Sequence, residues 1–135
     1  MSHIAELQQG DSLKAIQLDP VSRLDLIKYA GASGDFNPIH TIDEEAENAG
    51  LPGIIAHGMW TMGNLAKLFT PYIEEGFIQD YTIRFRKMVF LDDVIILTAK
   101  LLNNDTELME FRVAAVNQHQ QEVMNGVVKF QCYQD

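Results

Sequence analysis

An aspartate and a histidine five positions apart, Asp35 and His40 in the stretch SGDFNPIH (33–40), are the residues whose types and spacing best suit chemistry. A carboxylate and an imidazole can divide a proton transfer between them, one as base and one as acid. Pro38 lies between them, fixing its own φ and keeping Asn37 out of helical geometry, so both side chains sit on a stiff bend. Stiffness suits an acid–base pair, because misplacement by about an ångström is costly. Asn37 can hold the bend by bonding backbone or a ring nitrogen. The plain alternative is a turn, with Asp35 or Asn37 closing an Asx-turn and His40 a satisfied surface histidine.

A second stretch, IAHGMW (55–60), places Gly58 where a helix begins. Backbone N–H groups there lack intrahelical partners and the dipole is positive. A glycine lets a ligand oxygen approach closely, so Gly58 can serve as an oxyanion donor. Otherwise it only permits close packing, and His57 caps the helix. Arg84, Arg86 and Lys87 are the densest basic cluster and can meet the phosphates of a coenzyme or carrier, although solvated strand charges are commoner. The acidic run DEEAE (43–47) reads as a solvated helix face, and Cys132 as a buried thiol. Asp35, His40 and His57 form an allowed O/N ligand set, but their spacing matches no known cage, so no metal is expected.

The elements that must position these residues follow from periodicity. Residues 12–18 alternate weakly, as a short strand. Asp19-Pro20 opens a helix over 21–33, with Leu24, Ile27 and Ala30–Gly31 on its apolar face and Gly34 as its stop. A short helical piece covers 43–50. A second long helix, residues 59–73, is apolar on nearly every side and is expected to be buried. Four strands follow, at 77–90, 93–104, 107–118 and 122–134, joined by hairpin turns at 103–106 and 118–121. The expected fold is α+β: an antiparallel meander curled around one buried helix, the hot-dog layout.

Composition narrows the partners. The 135 residues form a single domain, 1–135, with 47% hydrophobic content. A net charge of −9 argues against nucleic acid. No apolar run reaches the ~18 residues of a membrane span. The first residues lack a signal-peptide layout, and a single cysteine suits a reducing cytoplasm, the expected location.

YAGASGDFNPIH (29–40), followed seventeen residues after His40 by HGM (57–59), resembles the MaoC-like family of hot-dog enzymes. These include (R)-specific enoyl-CoA hydratases and (3R)-hydroxyacyl-thioester dehydratases. The resemblance is strong over 21–63 and weaker over 83–93. It implies a lyase without cofactor, interconverting trans-2-enoyl and (R)-3-hydroxyacyl thioesters of CoA or an acyl-carrier protein. Asp35 and His40 match the catalytic pair, Asn37 its supporting residue, and Gly58 the backbone donor to the thioester carbonyl. Trp60 and Met62 lie beside the site as pocket candidates. Ala66 stands where relatives often carry a hydroxyl on the buried helix, and Met88 and Asp92 stand where Pro and Gly are common. An open sheet edge and the family both imply a homodimer, or pairing with a non-identical subunit lacking the Asp–His pair. The competing readings are a hot-dog thioesterase, disfavoured because MWTMGNLAKLF carries no carboxylate, and a non-catalytic acyl-thioester-binding module.

Overall fold

A computed structural model describes residues 3–105 and 108–134. Its regular elements are β1 (Ile16–Gln17), α1 (Arg23–Ser33), α2 (Asp43–Asn48), α3 (Gly58–Leu65), β2 (Gly76–Phe85), β3 (Ile96–Asp105), β4 (Leu108–Val116) and β5 (Glu122–Cys132). The hairpin expected at 103–106 and the strand start at 107 fall partly on Thr106 and Glu107, outside the described residues.

Helix α1 begins at a capping box. The Ser22 hydroxyl accepts from the Asp25 N–H, and the Asp25 carboxylate accepts from the Ser22 N–H, both at 3.1 Å. This cap overrides the expected start at Pro20, which lies outside the helix. Gly34, at φ 77°, ends it as expected. The buried residues are Leu26 and Ala30, one turn apart, whereas Leu24 and Ile27 are exposed. The apolar face expected from Leu24 and Ile27 therefore points outward. Arg23 donates from Nη2 to both oxygens of Asp43 at 3.0 and 2.9 Å, joining α1 to α2.

The long helix expected over 59–73 is two pieces. Helix α3 stops at Leu65, and Ala66–Tyr72 continues as 3-10 helix. Pro71 has no N–H to donate and its ring crowds the preceding turn, which favours the tighter winding. One face is buried, through Thr61, Leu65, Leu68 and Phe69. Met59 is exposed and Trp60 and Met62 half-buried, so the helix is not enclosed on every side. Phe69 meets Phe111 of β4 edge-on at 5.2 Å and stacks with Phe130 of β5 at 5.9 Å. Each of these rings contributes about 2–3 kcal/mol by leaving water.

The sheet is antiparallel and five-stranded, and it curls around this helix. Inward side chains alternate along β4, where Met109, Phe111, Val113 and Ala115 are all buried. The strand order is β1-β3-β4-β5-β2, not a sequential meander. Strand β2 ends at Phe85, short of the expected 90, and pairs with β5. Residues 86–95 instead cross to the far edge. On the way Phe90 bridges Ile55, and Ala56 donates to the Val89 carbonyl at 2.8 Å. Buried Asp93 locks this crossing, accepting from the Phe90 N–H at 2.9 Å and the Gln118 amide at 2.8 Å. Asp92 adopts φ 67°, a left-handed geometry that glycine takes without strain.

On the outer face Arg112 forks onto Glu122 with two 2.9 Å bonds. That guanidinium, helped by the Asn125 amide, holds the Glu122 carboxyl down at about 2, from an ordinary 4.5. Because the folded value is depressed, the pair stabilises the fold above about pH 4.5 and loses its effect as pH falls toward 2. Both side chains are more than a third exposed, so the contribution is at most about 1 kcal/mol. Urea denaturation of Glu122→Gln is expected to show that deficit at neutral pH and none near the acid end of this window.

Candidate active site

The bend after α1 is a pair of nested Asx-turns. The Asp35 N–H donates to the Ser33 hydroxyl at 3.1 Å, Asp35 Oδ1 accepts from the Asn37 N–H at 3.2 Å, and Asn37 Oδ1 accepts from the Ile39 N–H at 3.3 Å. Asn37 thus caps a 3-10 turn, Pro38–His40, and bonds backbone, one of the two partners its type allowed. The turn and the acid–base readings of SGDFNPIH are compatible: the same bonds that make the turn hold Asp35 in place.

His40 is buried rather than a surface histidine. Its Nδ1–H donates to the Ile55 carbonyl at 2.8 Å, which leaves Nε2 with its lone pair. That Nε2 lies 4.0 Å from Asp35 Oδ2. The gap is too long for a direct hydrogen bond and suits a water that donates one proton to each acceptor.

Gly58 opens α3 beside this gap. Its N–H has no acceptor among the described residues. A Cβ there would come within 3.1 Å of the Phe85 ring, so the ring lies directly over the glycine. Two cavities meet at Gly58 and Phe85. One, about 320 Å³, is lined by His40, Thr61, Val123 and Met124, with Arg86, Lys87 and Met88 at its rim. The other, about 570 Å³, is lined by Asp35, Tyr29, Ser33, His57 and Met59. Asp35 and His40 therefore face two chambers that share one wall.

The other expected site residues divide. Arg86 and Lys87 line the His40 cavity, but Arg84 does not. Just past the end of β2 the Arg86 and Lys87 N–H groups both donate to the Val123 carbonyl, so the strand's regular pairing stops before these two residues. Trp60 and Met62 line neither chamber; Tyr81, whose phenol burial pushes up, donates to the Met62 carbonyl and ties α3 to β2. Ala66 lines a separate apolar cavity of about 290 Å³ with Phe69, Ile73 and Phe77.

Thr61 and Phe85 line the His40 cavity without having been expected there, and His57, expected only as a helix cap or a disfavoured metal ligand, joins the site in another way. Thr61 lies one turn beyond Gly58 on the buried face, and that spacing could have found it. His57 does not cap α3 with its side chain. Its ring, 2% exposed, stacks on His40 at 3.8 Å and 22°, meets Tyr29 edge-on at 4.8 Å, and donates from Nε2 to the Asp35 carbonyl at 3.1 Å. Nδ1 is then a buried acceptor with no partner among the described residues, at a cost of about 1–3 kcal/mol.

Asp35, His40 and His57 offer ligand atoms within 4.8 Å of one another. The stacked rings point their lone pairs along nearly parallel planes, however, and one ion cannot lie in both. Ligation by both imidazoles would require a ring to rotate.

A family model described as a MaoC like domain matches residues 6–123. Among curated proteins, Uncharacterized protein YdeM of Bacillus subtilis (strain 168) is 31% identical over 121 residues, covering 78% of this chain and 82% of its own. 3-hydroxyacyl-thioester dehydratase X of Mycobacterium tuberculosis is 38% identical over 68 residues, but these are 47% of this chain and only 22% of that protein. The solved structure of R-Hydratase PhaJ1 from Pseudomonas aeruginosa superposes with a TM-score of 0.87 at 23% identity, covering 97% of this chain and 85% of that one. That likeness establishes the α+β hot-dog fold.

Proposed function

Because the chain belongs to the MaoC-like domain family, we propose that it reversibly hydrates trans-2-enoyl thioesters to (R)-3-hydroxyacyl thioesters, with Asp35 and His40 as the acid–base pair. The observation that carries this reading is the 4.0 Å gap between Asp35 Oδ2 and His40 Nε2, two acceptors that meet where the two cavities adjoin at Gly58. A water in that gap donates a hydrogen bond to each. Its oxygen attacks C3 of the enoyl group while one of its protons passes to the pair. The electron pair moves toward the thioester oxygen, where the Gly58 N–H stabilises the developing enolate. C2 then takes a proton from the same pair, so the elements of water add across the double bond. Dehydration is the reverse. No metal or redox cofactor enters this scheme.

The thioester is carried by CoA or an acyl-carrier protein, and Arg86 and Lys87, which line the His40 cavity, are the proposed contacts to its phosphates. The single cysteine fits a cytoplasmic setting. Among the described residues no helix is long and apolar enough to cross a membrane. A homodimer is the proposed working form. The exposed Phe36, Met59 and Phe85, with Leu24 and Ile27 of α1, supply an apolar surface for a second copy, and β2 leaves an outer edge unpaired within the sheet.

The test is crotonyl-CoA with the purified protein, following loss of the enoyl-thioester ultraviolet absorbance beside a thiol reagent. Absorbance loss without thiol release supports the hydratase. Thiol release would move the chain to the thioesterases, and silence with both CoA and carrier-protein thioesters would favour a binding module.

A further inference from the structure

We propose that His57 is a positioning residue that registers Asp35 against His40 through its Nε2–H bond to the Asp35 carbonyl. The inference rests on the acid–base reading of that pair. The Asp35 side chain is 52% exposed, so packing alone does not hold it. Three hydrogen bonds hold the residue, one at its carboxylate and two at its main chain. Two of them, to the Ser33 hydroxyl and from the Asn37 N–H, stay within two residues and shape the turn itself. Neither places the turn relative to His40. The bond from His57 spans 22 residues and is the one of the three that ties the turn to the rest of the fold.

The donor is itself held by two neighbouring rings. Tyr29 meets one side of the His57 ring edge-on, and the His40 ring stacks on it. The body that anchors the Asp35 main chain is therefore the body against which the His40 imidazole rests. His57 also directly precedes Gly58, so the proposed oxyanion donor shares this frame. A purely structural role explains the arrangement poorly. The His57 side chain caps no helix N–H, and its Nδ1 is buried without a partner among the described residues. A phenyl ring would fill such a site without leaving a polar atom unpaired. The imidazole is accounted for by what Nε2 donates to.

Two substitutions separate the donor from the ring. His57→Phe keeps a flat ring between Tyr29 and His40 and removes the donor. His57→Gln keeps an N–H near the position of Nε2 and removes the ring. With crotonyl-CoA, His57→Phe is expected to lower kcat by about tenfold or more while KM stays within about twofold. His57→Gln is expected to recover much of that loss. A His57→Phe enzyme with wild-type kcat overturns the proposal, as does an equal loss in both variants, which would mean that packing alone matters. Backbone order parameters read the anchor without any activity. For residues 35–37 they should fall in His57→Phe from the rigid value near ~0.85 toward ~0.6. If the wild type hydrates neither CoA nor carrier-protein thioesters, the acid–base reading fails on its own. The order parameters then still decide whether His57 anchors Asp35, and unchanged values overturn it.

Discussion

Asp35→Asn is expected to slow enoyl-thioester hydration by roughly 10²–10⁴-fold, the usual worth of a positioned acid–base group, and to leave the fold intact. The reason lies in how the two carboxylate oxygens are used. Oδ1 accepts from the Asn37 N–H, and the carbonyl oxygen of an asparagine can do the same. The turn therefore survives. Oδ2 faces His40 Nε2 across the 4.0 Å gap, and there the substitution puts an NH₂ group where an acceptor stood. A water between a donor and the imidazole keeps one proton acceptor instead of two and loses a route for the second proton. The side chain is half exposed, so no core packing is lost and the melting temperature should hold. Initial rates with crotonyl-CoA, alongside a thermal melt, check both halves. A variant within about tenfold of wild type would remove Asp35 from the chemistry and leave SGDFNPIH as a turn.

Gly126→Ala is expected to have the largest effect on stability. Gly126 sits in mid-β5, opposite Ile83 of β2 and Val113 of β4. A Cβ there would run into the Thr82 carbonyl oxygen and lie 2.9 Å from the Ile83 Cα. Both are backbone atoms and cannot rotate away, so β2 and β5 would have to part. A loss of about 3 kcal/mol or more is expected, out of the ~5–15 kcal/mol typical of a domain. That corresponds to a fall on the order of 10 °C in Tm. Val123 and Met124, on the same strand, line the His40 cavity, so activity should fall as well. Urea denaturation measures the stability term, and a loss below about 1 kcal/mol would show that this strand pair yields easily.

What the sequence disclosed was mostly local. The Asp35–His40 bend is written in Pro38 and Asn37, and Gly58 marks a helix start, because turn and cap chemistry act over a few residues. The strands were visible from alternation, and the curled antiparallel sheet from their number. The partner of β2 was not, since the crossing at 86–95 decides it, and that crossing is held by Asp93 reaching Gln118. The outward face of α1 was misread because Leu24 and Ile27 share a helix with Leu26 and Ala30, and apolarity alone does not say which side meets the core. Arg84 is grouped with Arg86 and Lys87 by closeness in sequence, which does not say which of the three reach the cavity that Arg86 and Lys87 line. The stack of His57 on His40 joins residues seventeen apart through the tertiary fold, and no period in the chain announces it.

The strand order also fixes when such a site can come into being. Strand β5, the last of the five to leave the ribosome, lies between β4 and β2 and supplies one wall of the His40 chamber. Until it is made, β2 has no neighbour to pair with, and the residues from Asp35 to Gly58 have been synthesised long before the surface they rest against. Pairing β2 with β5 closes a loop of several dozen residues, the kind of distant contact that slows folding. During that interval a nascent chain exposes an unpaired strand edge and the apolar faces of α1 and α3, the condition in which chaperones are most useful.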